Sequence, residues 1–252
     1  MSGHSKWASI KHQKAKTDQA RGKTFSKLIR EITVAAREGG GDPNNNPTLR
    51  TAMDKAKGEN MPKDNIAKAI KRGTGELPGI SYERVVYEGY GPAGIAVMVD
   101  VLTDNKNRTS AEVKNIFSKR GANMAGAGSV SWQFQAKGYV LVDKEKIGEE
   151  ELLDIVLEAG AEDMKTEGKE YEVICNPQDL EKIKKALKEK NLEWVAAELT
   201  QIPTSTVKVG EDKAVQVLSL MDYLEENDDV QNVYANFDIS EEVLEKISQK
   251  VK

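Results

Sequence analysis

Residues 138–202 read GYVLVDKEKIGEEELLDIVLEAGAEDMKTEGKEYEVICNPQDLEKIKKALKEKNLEWVAAELTQI. The pieces are a strand over Tyr139–Val142, a helix over Glu149–Ala159, strands near Ala161–Lys165 and Tyr171–Cys175, a helix from Pro177 to Lys190, and a strand over Trp194–Ile202. Short apolar runs bounded by turn residues alternate with helical periodicity. That order, β-α-β-β-α-β, is the ferredoxin-like one, and it is complete within this stretch.

Working outward, each flank carries half of a similar pattern. Val85–Glu88 and Ile95–Leu102 read as strands joined through GYGPAG. Thr109-Ser-Ala-Glu112 has the form of a capping box, and it would open a helix with Val113, Ile116 and Phe117 inward and Gly121 as the stop. Ser129–Phe134 alternates Val130, Trp132 and Phe134 against polar residues, the pattern of a half-buried strand. Beyond residue 202 come Ser205–Val209, a helix from Asp212 to Glu226 and a strand over Val230–Phe237. Neither flank could cover a sheet face alone. Joined, they make a second ferredoxin-like sheet into which residues 137–202 are inserted. The expected parts are therefore 79–136 plus 203–239 as one discontinuous α/β domain, 137–202 as the inserted one, and 240–252 as a short surface helix.

The first 78 residues differ in kind. Phe25, Leu28, Ile29, Ile32, Ala35 and Ala36 form one helical stripe between Thr17 and Glu38, and Gly39-Gly-Gly41 stops it. Pro47 suits the first turn of a second helix burying Leu49, Ala52, Met53 and Ala56. Pro62 suits the start of a third, with Ile66, Ala69 and Ile70 inward. The fold class expected is thus α+β and multidomain: an N-terminal three-helix bundle followed by two ferredoxin-like α/β domains, one inserted in the other.

Charge divides the chain along the same line. Residues 1–80 hold 16 Lys or Arg and 8 acids, whereas the remaining residues hold 21 and 33, so a segment of +8 precedes one of −12. The first 30 residues alone carry eight cations and the single acid Asp18. Such asymmetry points to a polyanionic partner for the basic part. Lys6, Lys11, Lys14, Lys16, Arg21, Lys23, Lys27 and Arg30 would neutralise phosphates and release counterions. Trp7 among them could stack on an unpaired base or, with Ile10, pin the segment to the bundle, and His12 is suited to meet phosphate or backbone. At about 100° per residue, Lys23, Lys27, Arg30 and Arg37 fall opposite the apolar stripe of their helix. No run approaches the 18 apolar residues of a membrane span. With no apolar signal stretch and a single cysteine, Cys175, the expected address is cytoplasmic.

Other motifs carry little chemistry. Gly89-Tyr-Gly-Pro-Ala-Gly94 has the letters of a dinucleotide fingerprint, but a strand follows it instead of a helix, so a hairpin loop is expected. His4 and His12 lack a third metal ligand nearby. Asp100 and Asp104 flank a strand end and could hold a cation or a basic partner. Neither a nucleophile with its base nor a cofactor or metal cradle stands out, so no enzyme, cofactor or metal is expected.

Several blocks also resemble a known family. GHSKWASIKHQKAKTDQARGKTFSKLIREI, NPTLRTAMDKAKGENMPKDNIAKAIKRGTGE, YEGYGPAGIAVMVDVLTDNKNRT, GSVSWQF, LEAGAED and DDVQNVYANFDI are similar to the blocks of the YebC family, over about residues 1–239. The resemblance implies a three-domain fold and a cytoplasmic, DNA-binding regulator of transcription. Relatives linked to translation imply an alternative: a factor on ribosomal RNA, with ribosomal proteins as further partners and relief of stalling at proline runs as the task. By position, the family's basic opening block falls on Lys6, Lys11, His12, Lys14, Lys16, Arg21 and Lys23.

Overall fold

The structure is a computed structural model that describes residues 18–250. Three helices come first: α1 (Asp18–Gly39), α2 (Pro47–Gly58) and α3 (Lys63–Gly73). Their common core is built from Leu28, Ile32, Ala35, Ala36, Leu49, Ala52, Ala56, Met61, Ile66 and Ala69. Burying one Leu or Ile side chain such as Leu49 contributes about 1.5–3 kcal/mol, and the alanines let the helix axes approach. Gly73 marks the closest approach: a Cβ there would lie 2.4 Å from the Thr33 carbonyl oxygen and 2.7 Å from Ala36 Cβ. Asn46 joins α1 to α2. Its side-chain oxygen accepts from the Leu49 amide (3.0 Å), capping α2, while its amide donates to the carbonyls of Ala35 (2.8 Å) and Gly40 (2.9 Å).

The chain divides into two compact units, residues 1–131 with 206–252, and residues 132–205. In the first, β1 (Glu83–Tyr90) and β2 (Ala96–Thr103) form a hairpin, followed by α4 (Lys106–Lys119) and β3 (Asn123–Ala125). In the second, β4 (Phe134–Asp143), α5 (Glu149–Glu158), β5 (Ala161–Glu167), β6 (Glu170–Cys175), α6 (Leu180–Glu189) and β7 (Ala196–Pro203) form a sheet in the order β5-β6-β4-β7, antiparallel throughout. Its helix-covered face buries Val140, Val142, Val173 and Cys175 against Leu152, Val156, Ile183 and Leu187. The chain then returns to the first unit with β8 (Val207–Lys208), α7 (Glu211–Glu226), β9 (Val230–Ala235), β10 (Phe237–Asp238) and α8 (Glu241–Lys250). The sheet of the first unit runs β3-β1-β2-β9, and Val97, Val99 and Val101 pack against Val113 and Phe117 of α4 and Val217, Leu220 and Leu224 of α7.

Three local expectations are corrected. Residues 129–133 of the expected strand Ser129–Phe134 are not in a strand, and Phe134 instead begins β4. Residues 131–133 form a 3₁₀ turn and Trp132 is 72% exposed. The cause is Glu88, whose buried carboxylate accepts backbone N–H groups of Gly128 (2.8 Å), Val130 (2.7 Å) and Ser131 (2.9 Å) and curls the chain away from a ladder. The edge strand is instead Asn123–Ala125, paired with β1. Nor does Thr109 cap a helix. Asn105 caps α4 one turn earlier by accepting from the Arg108 amide (3.1 Å), which leaves Thr109 buried within the helix. Third, Val207–Lys208 stays out of the main sheet and pairs in parallel with Phe237–Asp238.

Candidate nucleic-acid interface

Lys6, Trp7, Lys11, His12, Lys14 and Lys16, with His4 and the side chain of Arg21, lie outside the described residues. Lys23, Lys27 and Arg30 lie within them. Their spacing places the three in one row along α1. That row meets the C-terminal end of α7, where the last carbonyls lack intrahelical donors and the helix dipole is negative. Lys23 donates to the Glu226 carbonyl (3.2 Å) and Lys27 to that of Glu225 (2.8 Å). Arg30 reaches the Asp228 carbonyl and also the Asp229 carboxylate (2.8 Å). Arg37, the fourth cation of the face, donates to the Ser81 hydroxyl (2.8 Å) and to the carbonyls of Ile80 (3.2 Å) and Tyr82 (3.3 Å). The cationic face of α1 is therefore an internal joint over these positions, holding the bundle to the sheet that follows it.

Asp229 is the centre of that joint. Its side chain is 5% exposed, yet it carries charge among donors: Arg30, Arg108 (2.7 Å), Thr109 (2.6 Å) and Thr103 (3.0 Å). Burial pushes its pKa up, but the hydroxyl and guanidinium hydrogen bonds and the charge of Arg30 outweigh it and hold the carboxyl below its ordinary value. Hydrogen bonds to Asp229 and Asp104 push Arg108 up, so it stays charged. Beside the joint is a cleft of about 530 Å³ lined by Lys23, Arg30, Tyr82, Asp104, Arg108 and Asp229. Arg30 and Arg108 already face carboxylates and Lys23 a backbone carbonyl, and acids outnumber cations in the lining, so it presents no net positive surface to a phosphate.

Asp104 pairs with Arg108 (2.7 Å), and Asp100 lies 3.7 Å from Arg84. GYGPAG turns β1 into β2 as a hairpin, with Ala93 and Gly94 at positive φ (63° and 75°). Cys175 is buried, and desolvation with the nearby charges of Asp179 and Glu162 pushes its thiol up to about 11. No group of three or more His, Cys, Asp or Glu side chains able to hold a metal occurs among the described residues.

The unengaged cations of the bundle lie on α3, where Lys63, Lys68, Lys71 and Arg72 are exposed and have no partner among the described residues. Reading outward from the opening block passes over them, because the charge density there is diluted by alanine and isoleucine. Their signal is periodic: i, i+3 and i+4 from Lys68.

Two family descriptions divide the chain at the end of this bundle. The TACO1/YebC N-terminal domain matches residues 5–76, and the second and third TACO1/YebC domains match residues 82–237. The chain belongs to the TACO1/YebC family. Relatives named probable transcriptional regulatory protein share 54% identity over 250 residues (Persephonella marina) and 55% over 247 residues (Geobacter sulfurreducens), each covering 98% of this chain and 100% of the relative. A crystal structure of a conserved hypothetical protein from Aquifex aeolicus is similar at a TM-score of 0.84 and 49% identity, covering 93% of this chain and 97% of that one. The boundary between the two matched regions falls between α3 and β1, where the helical part gives way to the α/β part. No described helix is long and apolar enough to cross a membrane.

Proposed function

We propose that this TACO1/YebC protein is a non-enzymatic regulator of gene expression that works in the cytoplasm and binds nucleic acid through the cations of its first 80 residues. One observation carries the reading: a segment of +8 precedes a remainder of −12, so a polyanion is attracted at one end and repelled by the rest. The opening cations Lys6, Lys11, Lys14, Lys16 and Arg21, with His12, contact phosphate, Trp7 stacks on an exposed base, and Lys23 belongs to the internal joint. Lys27 and Arg30 serve this surface by setting α1 against the neighbouring sheet. Relatives named transcriptional regulators support DNA as the ligand and transcription as the process. The buried, protonated Cys175 supports the absence of thiol chemistry.

A second reading places the same surface on ribosomal RNA, with the acidic α/β domains facing ribosomal proteins. The −12 remainder favours it, since basic proteins complement such a surface and a bare DNA duplex does not. Phosphate contacts alone position a protein without reading sequence, and either ligand offers them.

The test is anisotropy titration of labelled DNA duplexes and ribosomal RNA hairpins over a salt series. Changing Lys6, Lys11, Lys14 and Lys16 together to Ala lowers the log–log salt slope by about 0.7–0.9 per lost contact. An unchanged slope overturns the assignment of these lysines. Sedimentation of lysate with and without RNase then separates the two ligands: comigration with ribosomes that RNase abolishes selects RNA.

A further inference from the structure

Resting on the nucleic-acid reading above, we infer that the exposed face of α3, carried by Lys68, Lys71 and Arg72, is a second contact surface that binds the phosphate backbone of a nucleic-acid duplex. Two observations converge on it. The first is elimination within the bundle. Lys23, Lys27 and Arg30 are committed to the end of α7 and to Asp229, and Arg37 to the segment 80–82. Lys55 pairs with Glu31 (3.5 Å), Lys57 with Asp54 (3.0 Å), and Arg50 leans on the Pro43 carbonyl (3.4 Å). A phosphate competing for those cations must first break an internal contact. At Lys68, Lys71 and Arg72 it meets no such contact among the described residues.

The second observation is arrangement. At about 100° per residue the three fall within one arc of about 100° on α3. Opposite them, Ile66, Ala69 and Gly73 are buried against α1 and α2. The cations are therefore presented outward on a helix whose other side is fixed. Lys68 and Arg72 are about 6 Å apart along the axis. A duplex strand advances about 3.4 Å per phosphate, so the face spans neighbouring phosphates of one strand. Asp64 falls in the same arc, leaving three cations against one acid, and Lys and Arg there meet the phosphates that every sequence offers. Arg72 adds a planar fork suited to phosphate oxygens. A Cβ built on Gly79 would lie 3.1 Å from Arg72 Cβ, so the chain there runs close beside the Arg72 stem.

The experiment uses the full-length chain, with a labelled 24-bp DNA duplex and an RNA hairpin of similar stem length as probes. Lys68→Ala, Lys71→Ala and Arg72→Ala are combined; alanine is the strongest helix former, so α3 is retained, and far-UV circular dichroism checks it. Loss of three contacts lowers the salt slope by about 2–3, so between 50 and 200 mM salt the variant loses affinity about 40-fold less than the parent protein. A control, Lys182→Ala with Lys185→Ala and Lys188→Ala on α6, removes the same charge elsewhere and leaves the slope unchanged. A change in the slope of one probe only assigns the face to DNA or to RNA. If the α3 variant keeps the parental slope on both probes while the combined Lys6, Lys11, Lys14 and Lys16 variant loses binding, the α3 surface is refuted and the nucleic-acid reading stands. If the parent chain binds neither probe, both fall. An equal loss in the α6 control also refutes the α3 surface, since net charge then explains the effect.

Discussion

Replacing Asp229 by Ala removes the acceptor shared by Arg30, Arg108, Thr103 and Thr109. Breaking a buried ion pair from one side costs about 3–5 kcal/mol, because the partner charge stays buried without compensation. Here the lower end applies. Arg108 is 44% exposed and falls back on Asp104 and water. The Thr109 hydroxyl turns to the Asn105 carbonyl (3.1 Å), and Thr103 to Thr109 (2.7 Å). Arg30 bears most of the cost, its side chain 17% exposed and left with the Asp228 carbonyl. The expected loss is about 3 kcal/mol. For a unit of this size that lowers the unfolding midpoint by about 6–12 °C.

Differential scanning calorimetry reads it, and the transition of the 132–205 unit stays where it was. The pH dependence supplies a second check. The carboxyl of folded Asp229 lies below its ordinary value, so the unfolded chain takes up a proton first as pH falls. Its stabilisation is complete above the unfolded value of about 4 and disappears as pH drops through the folded value. The gap between the parent and Asp229→Asn therefore narrows below about pH 4. A loss under 1 kcal/mol for Asp229→Ala, or a gap that stays constant down to pH 2, would refute the joint as described.

Asp100 behaves in the opposite sense. Burial, and more weakly the charge of Glu31, push its carboxyl up against the influence of Arg84 and Asn232, and its Oδ1 is buried without a hydrogen bond. Such a group costs stability once pH rises past the unfolded value of about 4. Asp100→Asn is therefore expected to stabilise the protein at pH 7 by about 0.5–2 kcal/mol, and urea titrations should show the gain vanishing toward pH 4. Cys175, held up to about 11, should not react with a disulfide reagent such as DTNB at pH 8 in the native state and should react stoichiometrically in denaturant. Rapid native labelling would contradict its burial.

Much of the fold was legible because its signals are local. The stripe from Phe25 to Ala36, the prolines at the starts of α2 and α3 and the βαββαβ order of residues 138–202 all follow from periodicity and turn chemistry over short windows. Two of the three misreadings share one cause. Val130, Trp132 and Phe134 alternate as a strand would, but the Glu88 carboxylate, forty-two residues before Val130, takes the amides a ladder would have used. Thr109 stands where a capping box needs a hydroxyl, but Asn105 caps first and Asp229 recruits the Thr109 side chain. In both places a distant carboxylate outcompeted a local pattern.

The candidate surface divides in the same way. By itself the sequence determined the charge partition, the helical row of Lys23, Lys27 and Arg30, and the side of α1 on which they fall, since these depend only on residue order and a 3.6-residue turn. Only the tertiary structure decided what the row meets. Lys23 and the Glu226 carbonyl are 203 residues apart, and the end of α7 becomes an acceptor for the row only when β9 pairs with β2 and brings Asp229 under α4. Folding thus engages one set of cations internally and leaves Lys68, Lys71 and Arg72 on the outer face of α3. Neither choice is encoded within a single turn of helix, because each depends on which chain segments become neighbours.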